Sequence, residues 1–351
     1  MNLTVPWVRI PPLPPKSNRG NTNMKTWLVG SGYWGSKVKD TLEQLGHTVS
    51  VIDIRNGNSI EDINTMDPVI LATPVWEHFN QASYLLNKGY DVYIEKPAAE
   101  TSSQVEELLN LSENKIVMVG HIFVHNPLID CVKELMDSGA LGKIRFVHSE
   151  RTNLGIYQTK TSTLLSLAPH DFSIVEYLTG DLKVESARGY YLSDNVQYDR
   201  VGITGSSNGV QWEIDVSWRW PLRRRTVTVA GDLGQAVWDE DKKTVEVFYN
   251  EIQERRLITT QDNVVTNAPK DLNPLAIELQ HFFDCVETRT QPKTDLHAAL
   301  KIARALMLRM LLYKIITKPV PVIGFFYTSC IAYCVFCTSN APISDITFTY
   351  S

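Results

Sequence analysis

Thr26-Trp27-Leu28-Val29-Gly30-Ser31-Gly32-Tyr33-Trp34-Gly35 runs an apolar strand directly into G-x-G-x-x-G, and no other stretch of the chain limits its fold as much. Gly30 permits a tight turn, Gly32 lets backbone approach a pyrophosphate, and Gly35 lets a helix close on the strand. The helix start then offers free N–H groups to phosphates. Three glycines alone are a weak signal, so the context decides. Val38, Leu42 and Leu45 recur at i, i+4 and i+7, Gly46 supplies a helix stop, and Val49, Val51 and Ile52 make a second buried strand that ends in Asp53. Asp53 stands at roughly the 20-residue distance expected of a carboxylate that accepts adenosine ribose hydroxyls. The unit therefore predicts a dinucleotide site built from Gly30, Ser31, Gly32, Tyr33, Trp34, Gly35, Asp53, Ile54 and Arg55. A carboxylate repels a 2′-phosphate, so NAD is favoured over NADP, with Arg55 keeping NADP as the minor reading.

Strand and helix go on alternating: strand 69–73, helix 79–88 stopped by Gly89, strand 92–95, helix 101–111 opened by Ser103-x-x-Glu106, strand 116–120. This is the pattern of a Rossmann doubly wound parallel sheet, an α/β fold over residues 24–122, whose ligand sits outside the carboxyl ends of the strands. From about residue 144 the pattern becomes β-branched and aromatic, with strands at 144–150, 184–191, 201–205, 210–218, 226–230, 235–238 and 244–249. A helix around 170–178 interrupts the run, and helices 274–288 and 296–316 follow. Residues 123–317 thus predict a C-terminal α+β domain with an open, mostly antiparallel sheet, its last helices packing back on the core.

At 351 residues the chain suits two domains, and its formal charge of −5 provides no basic field for nucleic acid. Cys131 and Cys285 sit inside periodic apolar patterns and read as reduced core thiols, which implies a reducing, cytoplasmic setting. No metal site is expected in the two domains. Residues 1–23, with five prolines, read as a leader, so the domain proper starts near Met24. The tail 318–351 is apolar over 320–337, although Pro321 and Gly324 weaken a membrane reading. Within it Cys330-x-x-x-Cys334-x-x-Cys337 resembles the iron–sulfur triplet of radical S-adenosylmethionine enzymes. Too little chain follows for their barrel, so a fortuitous match or fused remnant is favoured over a cluster or an anchor.

Two groups stand out as able to move protons. Glu95-Lys96-Pro97 follows a buried strand at the carboxyl edge, where partial desolvation beside a cationic ring favours a neutral lysine. Ala168-Pro169-His170-Asp171 places a histidine at a predicted helix start facing the interdomain cleft, with Asp171 able to cap or orient it.

The glycine loop, Thr73-Pro74 followed by His78, Glu95-Lys96-Pro97-Ala98-Ala99, Gly120-His121 with Asn126-Pro127, and Ala168-Pro169-His170-Asp171 together resemble the Gfo/Idh/MocA oxidoreductase family, in order and spacing across roughly residues 24–317. Trp218-Arg219-Trp220-Pro221 and Pro274-Leu275 with Glu278, His281 and Phe282 resemble its UDP-N-acetylglucosamine-uronate 3-dehydrogenase branch. The resemblance implies NAD(P)-dependent oxidation or reduction of a sugar or nucleotide-sugar hydroxyl. It implies Lys96 and His170 as the proton-handling residues, Thr73, Pro74, His78, Glu95, Lys96 and His121 as further cofactor contacts, and a homo-oligomer formed through the open sheet. Arg151, Asn153 and Tyr157 could line the substrate side with Lys96, Ser166 and His170, whereas Arg223-Arg224-Arg225 reads as a solvated strand edge. One departure stands out: family members commonly carry an aspartate four residues before the catalytic histidine, and Ser166 occupies that position. Serine cannot carry the charge of a proton acceptor at neutral pH, so a non-catalytic NAD-bound sensor or scaffold is the alternative.

Overall fold

Residues 23–155, 162–191, 198–253 and 256–316 are described by the computed structural model. The expectations for the leader, for Tyr157 and for Cys330, Cys334 and Cys337 lie outside the described residues. Strands β1 (Lys25–Val29), β2 (Thr48–Ile52), β3 (Val69–Leu71), β4 (Val92–Glu95) and β5 (Val117–Gly120) form one parallel sheet in the order β2-β1-β3-β4-β5. The order reverses between β1 and β3, so the ligand crevice opens at their carboxyl ends.

These strands are buried on both faces, which is why they read as unbroken apolar runs. Alternation divides their side chains. Leu28, Ile70, Tyr93 and Met118 meet α1 (Tyr33–Gln44) and α6 (Pro274–Thr288), while Val29, Leu71, Ile94 and Val119 meet α2 (Val75–Lys88), α3 (Ser102–Leu111) and the first turns of α7 (Leu296–Ile316). Helix α2 starts directly behind Pro74, earlier than its apolar periodicity indicates, because Trp76 and Glu77 in its first turn lie outside the apolar face. Helix α3 is capped at its start by Thr101 and Gln104, each bonding the other's backbone, and not by Ser103 and Glu106.

The second sheet contains β6 (Ile144–Leu154), β7 (Lys183–Tyr190), β8 (Arg200–Ser207), β9 (Val210–Ser217), β10 (Arg219–Gly231), β11 (Gly234–Asp239), β12 (Thr244–Gln253) and β13 (Arg256–Asn267). Its order is β13-β12-β11-β10-β6-β9-β8-β7, and every pairing is antiparallel except β6 with β9. Val147, Trp212, Ile214, Val227, Val229 and Trp238 point to one face and are covered by α4 (Pro127–Asp137), α5 (Thr163–Thr179) and the later part of α7.

Three further features depart from the sequence expectation. Strand β13 is polar in its middle, Thr259 to Asn263, and holds its place as an edge strand through backbone pairing with β12. Helix α4 is set by the Asn126 side chain accepting from the Leu128 N–H, by Pro127 in the first turn, and by Leu128, Cys131, Val132 and Leu135 on one face. Helix α5 begins at Thr163, where Ser162 accepts from the Leu165 N–H, so Pro169 lies inside the helix and His170 is not at its N-terminus. An interior proline forfeits one backbone bond, and burial of Phe172, Ile174 and Val175 offsets that loss.

Cys131 and Cys285 are buried free thiols, as their patterns predict. Among the described residues no helix is long and apolar enough to cross a membrane, and no cluster of metal-binding side chains forms.

Phe282 tests the layer between the parallel sheet and α6. It is fully buried and meets the Tyr93 ring edge-on at 5.8 Å. Phe282→Ala is expected to lower unfolding free energy by about 3–5 kcal/mol, read from the denaturant midpoint at unchanged slope.

Candidate active site

The turn after β1 is shaped by close backbone approach. Gly30 has φ +94°, and a Cβ there would lie 2.8 Å from the Ala72 carbonyl oxygen. A Cβ on Gly35 would lie 2.1 Å from the Gly30 carbonyl oxygen, so α1 can press against β1 only with glycine at this position. Gly32 differs. It precedes α1 with no side-chain cap, and a Cβ there meets nothing within 4 Å. The start of α1 therefore keeps uncapped N–H groups beside open space, the arrangement a pyrophosphate needs.

Asp53 ends the adjoining strand and ties the turn together. It accepts from the Ser31 N–H at 2.9 Å and from the Arg55 N–H and Nε at 2.9 Å each. The Arg55 guanidinium first, and the Ser31 hydroxyl next, hold this carboxyl far below the usual carboxylate range. It stays ionised, oriented at the rim where a ribose would lie.

A cleft of about 860 Å3 runs from the glycine turn past Asp53, Ile54 and Arg55 to Thr73 and Pro74. Its other wall is formed by Trp76, Asn80 and Tyr84 of α2 with Ile60 opposite, none of which the sequence singles out. Their spacing of four along the helix was available to read, and Trp76, 60 % exposed, is an unusual surface residue beside a cleft. Ser31, Tyr33, Trp34, Thr73 and Pro74 line the cleft.

Two expected cofactor contacts stand behind the wall instead. The His78 ring is buried, its nitrogens 2.8 Å from the Pro97 and Thr73 carbonyl oxygens, so it ties the loops after β3 and β4 together. Burial lowers its pKa while the two carbonyls oppose that shift. Glu95 is buried too, accepting from the Trp34 indole N–H and, at 3.2 Å, from the Tyr93 hydroxyl. Burial raises its pKa. Its carboxylate thus holds the glycine turn to β4, since Trp34 belongs to that turn.

Lys96, His121 and His170 form a second group at the ends of β4 and β5 and in the middle of α5. Burial pushes the Lys96 ammonium below the usual lysine range, Glu95 opposes the shift and Arg151 adds to it. Burial and then Lys96 take His121 to about 3. His170 falls well below the ordinary histidine value through burial, then through the charges of Lys96, Arg151, His121 and Arg225. Each cation discourages the next, so both imidazoles are neutral at neutral pH. The Nδ1 atoms of His121 and His170 are buried and have no hydrogen-bond partner. The Lys96–Pro97 peptide is cis.

On the substrate side, Ser166 lies one helical turn before His170 and is partly exposed. Asn153, near the end of β6, is half-buried on the strand face that also carries Arg151. Arg151, expected to meet substrate, is 3 % exposed and committed elsewhere: Nε donates to Asp171 at 2.9 Å, Nη1 lies 3.4 Å from Glu240, and the guanidinium covers the Phe123 ring at 4.2 Å. Asp171 accordingly faces β6, where both of its carboxylate oxygens are bonded. Arg223 pairs with Asp241 at the exposed strand edge, in line with a solvated reading.

Comparison with known proteins places these two regions. A model described as the oxidoreductase family, NAD-binding Rossmann fold matches residues 36–123, and one described as the GFO/IDH/MocA C-terminal domain matches residues 129–237. The chain is 27% identical over 188 residues to 2,7-anhydro-N-acetylneuraminate hydratase of Mediterraneibacter gnavus, covering 45% of this chain and 50% of that protein. It is 23% identical over 119 residues to dTDP-3,4-didehydro-2,6-dideoxy-alpha-D-glucose 3-reductase of Streptomyces violaceoruber, covering 33% and 35%. The chain thus spans half or less of the length of these curated relatives. Among solved structures, UDP-N-acetylglucosamine 3-dehydrogenase of Acidithiobacillus ferrooxidans superposes with a TM-score of 0.70 at 18% identity over 83% of this chain and 97% of that one. An oxidoreductase of Agrobacterium radiobacter in complex with NAD+, L-tartaric acid and magnesium gives 0.72 at 17% identity over 84% and 97%. At these identities the superpositions establish the fold.

The contrast between two glycines tests the cradle. Gly35→Ala is expected to cost about 1–3 kcal/mol of stability, seen in denaturant unfolding, because its methyl group strikes backbone. Gly32→Ala is expected to unfold like the parent yet bind NAD at least about tenfold more weakly by calorimetry, because its methyl group enters the space a phosphate would take.

Proposed function

We propose that this chain, which belongs to the Gfo/Idh/MocA oxidoreductase family, is an NAD-dependent dehydrogenase or reductase acting on a hydroxyl of a sugar or nucleotide sugar, with Lys96 and His170 handling the proton. The observation that carries the reading is the gathering of Lys96, His121 and His170 beside the dinucleotide cleft, with buried imidazole nitrogens that have no partner in the protein. The substrate class is supported by relatives that act on sugar derivatives.

The cradle fits the cofactor on its own evidence: open space at Gly32, uncapped N–H groups at α1, and an ionised Asp53 at the rim. When bound, NAD supplies a hydride acceptor at its nicotinamide carbon. Everything else falls to the chain. In the oxidising direction the substrate C–H bond releases its electron pair as hydride and the O–H bond releases its proton. A neutral Lys96 amine accepts that proton, and neutral His170 holds the oxygen through a ring nitrogen or relays the proton onward. Ser166 can hydrogen-bond a neighbouring hydroxyl. The second-sheet face away from α4 and α5 carries Phe146, His148, Val237 and Phe248, all partly exposed, and is the face for a homo-oligomer. Two reduced buried thiols accord with a cytoplasmic setting.

Ser166 also supports a second reading, an NAD-bound sensor without turnover, because no carboxylate stands one turn before His170. Lys96→Ala and His170→Ala distinguish the two. Each is expected to retain NAD binding and to lower kcat by about 10²–10⁴ in NADH-formation assays across UDP-sugar uronates and free sugars. Normal NAD binding by the parent with no turnover on any of these substrates would favour the sensor.

Oxidation is also expected to depend on pH through Lys96. The lysine accepts a proton only when unprotonated, and its pKa is lowered, so kcat/KM should rise with pH and level off below the usual lysine range. His170 is already neutral near pH 7 and should add no second limb there. A pH profile lacking the lysine limb would remove Lys96 from the role of base.

A further inference from the structure

We propose that Arg151 is a positioning residue for His170, gripping it from both sides: through Asp171, its neighbour in α5, and through Phe123, the ring against which its imidazole rests. This deepens the proposed function and rests on His170 having the role given above. No hydrogen bond to Nδ1 sets the orientation of the His170 ring, so packing must do so. The ring that packs on it is Phe123, edge to face at 5.1 Å and 86°. Phe123 lies in the turn after β5 and is itself held by Trp238 at 6.0 Å and by the Arg151 guanidinium at 4.2 Å over its face.

The same guanidinium fixes the helix. Arg151 Nε donates to Asp171 Oδ2 at 2.9 Å, while the Ser149 hydroxyl donates to Oδ1 at 2.7 Å, so both carboxylate oxygens are tied to β6. Arg151 and Asp171 are each almost wholly buried. Glu240, which also accepts from Arg225 at 2.9 Å, steadies the far side of Arg151. A planar, five-donor cation can bridge carboxylates and lie flat on an aromatic ring at once; lysine cannot. The groups facing His170 are the cations Lys96, Arg151 and Arg225 with His121, and burial with their charges keeps it neutral. Removing Arg151 would therefore loosen the ring and make protonation easier.

The variants are Arg151→Lys, Asp171→Asn and the double change Arg151→Met with Asp171→Asn, which removes both buried charges at nearly constant volume. Readouts are NAD affinity by calorimetry, kcat and KM separately, and the His170 ring signal in a histidine-labelled NMR titration, assigned by its loss in His170→Gln. All three variants are expected to bind NAD within about twofold of the parent. Arg151→Lys and the double variant are expected to lose about 10- to 100-fold in kcat with KM little changed, while the His170 signal shifts and titrates closer to an ordinary histidine. Asp171→Asn, which leaves Arg151 on Phe123, should fall between them and the parent.

A rise in KM alone would make Arg151 a substrate contact and overturn the proposal. So would an unmoved His170 signal in folded Arg151→Lys. If the double variant does not fold, Arg151→Lys and Asp171→Asn decide. Should the parent turn over no substrate, the functional reading fails, and the NMR titration still decides whether Arg151 sets the His170 ring.

Discussion

Between Gly35 and the Gly30 carbonyl oxygen there is no room for even one methyl group. That steric limit lets α1 lie directly on β1, and from it the rest follows. The helix start comes to the strand end, its uncapped N–H groups face a cleft, and Trp34, carried along in the same turn, reaches Glu95 one residue before Lys96. The glycine turn and the Lys96 loop are thus joined by an indole–carboxylate contact, and the loops after β3 and β4 by His78. The glycine turn follows β1, where the strand order reverses, and Lys96 follows β4 at the same carboxyl edge of the sheet.

Charge is handled in opposite ways at the two ends of the site. Asp53, partnered by Arg55 and Ser31, is kept ionised at the rim, where a ribose needs an acceptor. Lys96, His121 and His170 are pushed toward their neutral forms by burial and by one another. A group that must take up a proton gains from having spare capacity, and crowding like-charged groups is a direct way to create it. Arg151, permanently charged and anchored by two carboxylates, adds to that field without competing for protons.

Much of this was legible in the residues. The buried strands and the glycine turn announce themselves because both faces of a parallel sheet exclude polar side chains and because glycine spacing has few other uses. Lys96 and His170 stand out by chemistry and position. What escaped was set by tertiary context. Pro169 looks like a helix start because isolated helices shun interior proline, but the packing of Phe172 and Val175 carries α5 straight through it. His78 and Glu95 occupy motif positions, yet burial turns them into braces. Arg151 looks like a ligand for anions until Asp171, twenty residues away in sequence, claims it. Trp76 and Tyr84 share a four-residue spacing with Asn80, but that this helix face borders the cleft only the fold reveals. Strand β13, polar in its middle, is held by its neighbour's backbone, which leaves little trace in side-chain pattern.

Helix α7 belongs to two interiors at once. Leu296, Ala299 and Leu300 complete the core beneath the parallel sheet, while Ile302, Ala305 and Leu306, one to two turns further on, complete the core beneath the other. Neither half can come apart without stripping the same rod of its neighbours. The two lobes are therefore thermodynamically yoked, and they are expected to share one melting event.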